Sequence, residues 1–309
     1  MDAVHVGVEI GGTKLQCVCG GEDGRVDGRW SAGVDVSRGA RGVLEQISAW
    51  LKEIAGQWRV AAVGVGFGGP VHWRSGEVAR SHHVGGWDGF PLGRWLAEQT
   101  GAPAFVENDA NVAALAEAQL GAGAGLDPVF YTTLGSGVGG GLVAGGEIYH
   151  GIPPGEAEFG HVRLDRGGTT VEGRCSGWAI DRRVREAAAA QSDGVLAGLL
   201  GGRRGGEAAH LGEALRLGDA AAARILAELA DDLAYGLSHV VHLFHPAVMV
   251  IGGGLSLLGE ALRRAVEERL ASYVMEAFRP PPPVRLSQLG RDVVPVGALL
   301  LAGRRRGGE

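Results

Sequence analysis

The chain has 309 residues, 45% of them hydrophobic, with a formal net charge of −6 and three cysteines. That length supports a large core and favours two domains over one or three, while the negative charge gives no sign of the basic surface that nucleic acid or an anionic membrane would require. Cys17, Cys19 and Cys175 are too few for a disulfide framework and have no paired CxxC spacing, and the arginine clusters at Arg182–Arg183, Arg203–Arg204 and Arg304 to Arg306 read as solvated faces.

Met1 and Asp2 lead at once into an alternating strand instead of a basic stretch and an apolar segment, so no secretory signal and a cytoplasmic location are expected. Val4, Val6, Val8 and Ile10 alternate, the chain turns at Gly11, Gly12, Thr13 and Lys14, and Leu15 and Cys17 resume, with Cys19 on the same face. This is a β-hairpin pattern. Val43, Leu44, Ile47, Leu51 and Ile54 follow helical spacing, and Val60 to Phe67 is a buried strand, giving a β-β-α-β order. Gly68-Gly69-Pro70 breaks the chain and Trp73 to Leu92 reads as loop. Ala104 to Val106 is a short strand that runs into Glu107-Asn108-Asp109-Ala110-Asn111, and an alanine-rich helix from Ala110 to Leu120 ends at Gly121.

A second unit repeats the scheme. Val129 to Leu134 is a strand, Gly135-Ser136-Gly137-Val138-Gly139-Gly140-Gly141 turns it, and Leu142 to Ala144 returns as its partner. Helices are predicted from about Gly177 to Ala190 and from about Asp219 to Phe244, with a glycine-rich, mobile insertion from Ser192 to Ala209. Val248 to Ile251 is a strand before Gly252-Gly253-Gly254, Gly259 to Val274 is amphipathic, Pro280 to Pro283 is a stiff connector, and Val293 to Ala302 is a closing helix. The uncharged run from Leu233 to Gly259 contains Pro246 and the triple glycine, so it reads as a helix and a buried strand and not as a membrane span.

Each glycine cluster follows a strand. Glycine admits positive φ and lets a bulky anion approach main-chain N–H groups, so the clusters read either as tight turns without a ligand or as three turns around one polyphosphate. Thr13, Lys14 and Ser136 at their tips favour the second reading. Gly135, Gly137 and Gly140 satisfy GxGxxG, yet the chain continues as a strand, whereas a dinucleotide fingerprint needs a helix to open there. Gly12-Thr13-Lys14 lacks the earlier glycine of a Walker A loop. Two readings are open for Asn108 and Asp109: a helix N-cap, or a carboxylate and amide that a strand end projects toward a hydroxyl. Glu158-Phe159-Gly160-His161 is either a surface loop or a carboxylate and imidazole pair.

Taken together, these residues resemble the ROK family of sugar kinases, repressors and open reading frames, within the actin-like ATPase superfamily. Val8 to Lys14 is similar to that family's first phosphate motif, Glu107 to Asn111 to its ENDAN sugar segment, Leu134 to Gly141 to its second phosphate motif, Glu158 to His161 to its ExGH motif, and Ile251 to Ser256 to its adenosine-side glycines. The resemblance implies a two-lobed α/β fold of the actin-like ATPase (ribonuclease H-like) type, with mixed sheets flanked by helices and a cleft between lobes. It implies a first lobe of residues 1–118, completed by a C-terminal helix over 292–309, and a second lobe of 119–291. It further implies that Gly11, Gly12, Thr13, Lys14, Gly135, Ser136, Gly137, Gly253 and Gly254 hold ATP, that Glu9 meets Mg²⁺ through water, and that Gly69, Asn108, Asp109, Glu158, His161 and Glu172 hold a hexose. Asp109 would take the proton from O6 as that oxygen attacks the γ-phosphorus. A cytoplasmic homodimer is the implied assembly, with glucose the leading substrate.

Two departures from the family pattern stand out. Glu9 occupies a position where many members carry Asp, and the segment from His161 to Glu172 lacks the CxCGxxGC zinc knuckle, so no structural zinc is expected. A His161 ring held without metal should discriminate less sharply at C2 of the sugar. A fructokinase or an N-acetylhexosamine kinase of the same family is the alternative activity. ROK repressors carry a winged-helix region before the first motif, which here begins at residue 9; a sugar sensor without a DNA-binding domain is the non-enzymatic alternative.

Overall fold

Valines at alternate positions put one face of a strand into the core, and Val4, Val6, Val8 and Ile10 of β1 (Ala3–Ile10) are all buried. The computed structural model describes residues 2–81, 84–155 and 157–304. The chain divides into two compact units, Met1–Gly121 with Gly141–Glu156 and Arg291–Glu309, and Ala122–Gly140 with Ala157–Gly290.

In the first unit β1 pairs antiparallel with β2 (Lys14–Gly20), which pairs antiparallel with β3 (Val26–Gly33). On its other side β1 runs parallel to β4 (Arg59–Phe67). A two-stranded ribbon follows, β5 (Val71–His72) and β6 (Glu77–Val78), the second strand lying inside the segment from Trp73 to Leu92 expected to be loop. The sheet closes with β7 (Ala104–Asn108), parallel to β4, in the order β3-β2-β1-β4-β7. Helix α1 (Gly39–Ala55) buries Val43, Ile47, Leu51 and Ile54 along one stripe; α2 (Leu92–Thr100) buries Leu92 and Leu96; α3 (Asp109–Leu120) follows β7 directly. Cys17 and Cys19 are buried, and desolvation raises the pKa of both thiols, so they act as small core residues.

The second unit's sheet has the order β10-β9-β8-β11-β12, from β8 (Val129–Leu134), β9 (Val138–Ala144), β10 (Glu147–Ile148), β11 (Val248–Gly252) and β12 (Val284–Leu286). β11 is parallel to both β8 and β12, so the hairpin-plus-parallel-strand pattern of the first sheet recurs. Strand β9 carries the chain from the second unit into the first at Gly141. The second unit's helices are α4 (Val171–Cys175), α5 (Gly177–Ala190), α6 (Val195–Leu200), α7 (Leu211–Arg216), α8 (Ala220–Phe244) and α9 (Glu260–Tyr273). The closing helix α10 (Val293–Gly303) belongs to the first unit. It packs at backbone distance: a Cβ at Gly64 of β4 would lie 2.0 Å from the Ala298 carbonyl oxygen.

Two expectations are corrected. The insertion expected to be mobile over 192–209 contains α6, which buries Leu196 and Leu200, and buried Glu207, which accepts a 2.8 Å hydrogen bond from Arg185 Nε. Glycine richness concealed a short helix anchored by two leucines. Arg183 is not on a solvated face; its side chain is 10% exposed and pairs with Asp232 at 3.2 Å. Arg203 and Arg204 are exposed, whereas Arg304 bonds Glu147; Arg305 and Arg306, with the rest of 305–309, lie outside the described residues. Among the described residues no helix is long and apolar enough to cross a membrane.

Candidate functional site

Gly11, Gly12 and Thr13 connect β1 to β2, and the turn is closed by the Gly11 N–H donating to the Lys14 carbonyl at 3.0 Å. Glu9 pairs across the hairpin with Gln16, whose amide donates to the Glu9 carboxylate. Lys14 Nζ lies 3.3 Å from the same carboxylate oxygen. The turn therefore presents main-chain donors, one lysine cation and one held carboxylate.

Strand β7 passes into α3 with no intervening loop. Asn108 ends the strand in an extended conformation and caps the helix, its Oδ1 accepting from the N–H groups of Ala110 at 2.9 Å and Asn111 at 3.3 Å. Its Nδ2 donates to the Gly69 carbonyl at 3.2 Å. Asn108 is thus both the cap and the amide that fixes the Gly68–Gly69 turn. Asp109 opens α3, and Gly68 lies against it: a Cβ at Gly68 would sit 3.4 Å from Asp109 Oδ2, 3.3 Å from the Ile10 carbonyl oxygen and 3.5 Å from Gly11 Cα. The first glycine turn and the Asp109 carboxylate meet across one residue that has no side chain.

In the second unit, the turn from β8 to β9 is held by Gly135 N–H donating to the Gly137 carbonyl at 2.9 Å and by Gly177 N–H donating to the Gly135 carbonyl at 2.7 Å. Gly177 is the first residue of α5, whose cap Ser176 accepts from Ala179 N–H at 3.2 Å. The positive end of a 14-residue helix therefore lies beside the second glycine turn, where an anion is favoured. Glu172, assigned by resemblance to the sugar, has Oε2 accepting from the Val138 N–H at 3.0 Å, so one of its oxygens fixes this turn. The third cluster joins the second. Gly253 has φ of +79°, and a Cβ there would lie 2.5 Å from the carbonyl carbon of Leu134, so only glycine fits. Gly254 opens a short 3-10 turn behind it.

Glu158 and His161 flank buried Phe159 in a 3-10 turn, where His161 N–H donates to the Glu158 carbonyl at 3.0 Å. Ala157 immediately before it has φ of +52°, an uncommon conformation for a residue with a side chain. A Cβ at Gly160 would lie 2.2 Å from the Val138 carbonyl oxygen, so this segment packs backbone to backbone on the start of β9. Residues 163–170 fold as a hairpin: Arg163 bridges Thr170, Leu164 N–H donates to the Thr169 carbonyl at 2.8 Å, and Val171 N–H to the Val162 carbonyl at 2.9 Å. Asp165 Oδ1 accepts from Thr169 N–H at 3.1 Å, and hydrogen bonds from Thr169 hold its carboxyl below the usual carboxylate range.

The candidate residues therefore assemble in two groups. Glu9 to Lys14, Gly69, Asn108 and Asp109 come together in the first unit; Gly135 to Gly137, Glu158, His161, Glu172, Gly253 and Gly254 do so in the second. An open hollow of about 520 Å³ beside α1, lined by Arg38, Leu44, Phe90 and Trp95 among others, contains none of them. Sequence reasoning missed Gly68, the α5 terminus and His150, whose Nε2 lies 2.6 Å from Glu107 Oε2. The GSGV turn gave no sign of α5 because Gly177 is 42 residues beyond Gly135 (177 − 135).

Mg²⁺ keeps several waters and usually takes one or two carboxylates together with substrate phosphates. Glu9 beside the first turn is one such carboxylate, and among the described residues no cluster of three His, Cys, Asp or Glu could hold a metal by itself. This donor set fits a Mg²⁺ that arrives with a nucleotide.

The ROK family model matches residues 5–305. The chain is 32% identical over 311 aligned positions to a glucokinase of Thermotoga maritima, covering 98% of both chains. It is also similar to the structure of a ROK family glucokinase from Streptomyces griseus in complex with glucose and AMPPNP, with a TM-score of 0.85, 33% identity and coverage of 97% of this chain and 99% of that one. A ROK hexokinase from Thermus thermophilus aligns with a TM-score of 0.76 and 31% identity over 97% of each chain. With motifs, sheet order and full-length similarity in agreement, the chain belongs to the ROK family.

Proposed function

We propose that this ATP-dependent sugar kinase phosphorylates glucose at O6, with Asp109 as the general base. The observation that carries the reading is the placement of Asp109 Oδ2 and the Gly11 turn on either side of Gly68, because an in-line transfer needs the base and the phosphate cradle within one substrate's reach. The glucose and ATP analogue bound by the Streptomyces griseus relative support the same substrate pair.

Each residue then has a defined task. Asp109 accepts the O6 proton as the oxygen attacks. Asn108 holds the Gly69 carbonyl, and with it the wall of the sugar pocket. Lys14 and the N–H groups of the glycine turns meet the phosphates, the α5 terminus adds positive potential beside Gly135, and the Gly253 turn lies toward the adenosine. Mg²⁺, when bound, neutralises charge on the transferred phosphoryl group. Glu9 would meet it through water, and Glu158, His161 and Glu172 of the second unit are assigned to the sugar by their match to the family's motifs.

Asp109→Asn keeps the shape and removes the base. Turnover is expected to fall about 10²–10⁴-fold, with the glucose KM changed far less. ADP formation measured against glucose tests this, and an unchanged kcat would reduce Asp109 to a helix-terminal residue.

A further inference from the structure

Glu107 is a buried carboxylate, 2% exposed, one residue before the Asn108 cap and two before Asp109. Ionised, it can only accept hydrogen bonds. Oε1 accepts from the Asn108 N–H at 2.9 Å and from Asn111 Nδ2 at 3.2 Å, which ties the last residue of β7 to the first turn of α3. Oε2 takes the third bond, at 2.6 Å, from His150 Nε2. With Glu107 as the carboxylate, Nε2 is the donor in this bond, since a carboxylate oxygen offers no hydrogen in return.

His150 reaches this point from a different part of the first unit. It follows the β9–β10 hairpin, which Tyr149 N–H prolongs by donating to the Leu142 carbonyl at 2.8 Å. Its ring stacks on Trp73, with centroids 4.1 Å apart and planes 19° from parallel, and the Arg74 guanidinium lies 5.0 Å from the Trp73 centroid. The hairpin itself is pressed onto α3: a Cβ at Gly141 would lie 2.7 Å from the Ala110 carbonyl oxygen and 3.0 Å from Asn111 Cα. Ring stacking fixes the imidazole plane, backbone packing fixes the hairpin, and the Nε2 bond delivers both constraints to Glu107.

We propose that His150, oriented by Trp73, is a positioning residue for phosphoryl transfer, holding Glu107 so that the strand-to-helix junction presents Asp109 in its reactive place. The inference rests on the assignment of Asp109 as base. An error of about 1 Å at a reacting group can cost about 10²-fold in rate, and the junction has no loop to absorb a displaced Glu107.

The test uses the full chain with glucose and ATP. His150→Ala should lower kcat about 10- to 100-fold while the ATP KM stays within about twofold. His150→Gln, which can still donate to Oε2, should recover most of that loss, and Trp73→Leu should lower kcat by a smaller factor. In the Asp109→Asn background, His150→Ala should add little, because residues that act through one group are not additive. A His150→Ala protein with an altered melting temperature but unchanged kcat would overturn the proposal, as would Gln behaving no better than Ala. If the His150 variants fail to fold, Trp73→Leu decides: a folded variant with full kcat would overturn it. Should Asp109→Asn itself retain turnover, the base assignment fails, a result separable from any outcome at His150.

Discussion

Asn108 serves two neighbours with one side chain, and the two duties can be separated by size. Asn108→Ala removes both and should cost about 0.5–2 kcal/mol of stability from the lost cap. Serine caps almost as well but is too short to reach the Gly69 carbonyl, so Asn108→Ser should keep the melting temperature within a few degrees while the sugar KM rises severalfold. Denaturation and glucose saturation curves on the pair would show it. Gly253 makes a simpler case. A side chain there meets Leu134 at 2.5 Å in a backbone of positive φ, and Gly253→Ala should destabilise by about 1–3 kcal/mol through overpacking and strain, with a raised KM for ATP. A melting temperature equal to that of the unaltered protein would show that the third turn can move without cost.

Two elements carry predictions of their own. The hairpin over residues 163–170 is closed by backbone bonds and by Asp165, where a zinc knuckle would require thiolate or imidazole ligands. The purified protein is therefore predicted to hold no stoichiometric zinc and to keep its melting temperature in a chelator; metal analysis finding about one zinc per chain would refute this. The segment around α6 is anchored by Arg185 on Glu207, whose carboxyl the guanidinium holds down at about 2. Because that value is below the unfolded value of about 4.3, the anchor contributes fully above pH about 4.5 and is lost as pH falls through 4 toward 2. Hydrogen exchange over 195–210 should accelerate across that window, and in Glu207→Gln the acceleration should already be present at pH 7. At this scale the long periodic helices α1, α8 and α9 and the strands β1, β4, β8 and β11 were legible in the sequence, since each shows its own period. β3, β12, α6 and α7 were not: the last three are short, β3 is as long as β1 but has no apolar run, and glycine, arginine or proline dilutes their patterns, so only packing on a neighbour makes them regular.

For the molecule as a whole, the strongest prediction concerns discrimination at C2 of the hexose. His161 is exposed, and the proposed zinc-free hairpin leaves its ring to be oriented by local packing. The enzyme should prefer glucose yet accept mannose or 2-deoxyglucose, because a loosely held donor penalises a missing or inverted hydroxyl less than a rigid one. Comparison of kcat/KM for the three sugars checks this, and strict rejection of both analogues would show a rigid His161. The sequence by itself determined the α/β class, the repeated hairpin-and-strand scheme, the three glycine turns and the Asn108–Asp109 pair, because periodicity and turn chemistry are local and survive without neighbours. Only the tertiary structure decided that Gly68 brings Asp109 to the first turn, that α5 and Glu172 brace the second, and that His150 closes on Glu107. Those contacts join residues 34 to 57 positions apart (172 − 138 and 68 − 11), and their formation depends on backbone approach and buried hydrogen bonds that no local pattern encodes.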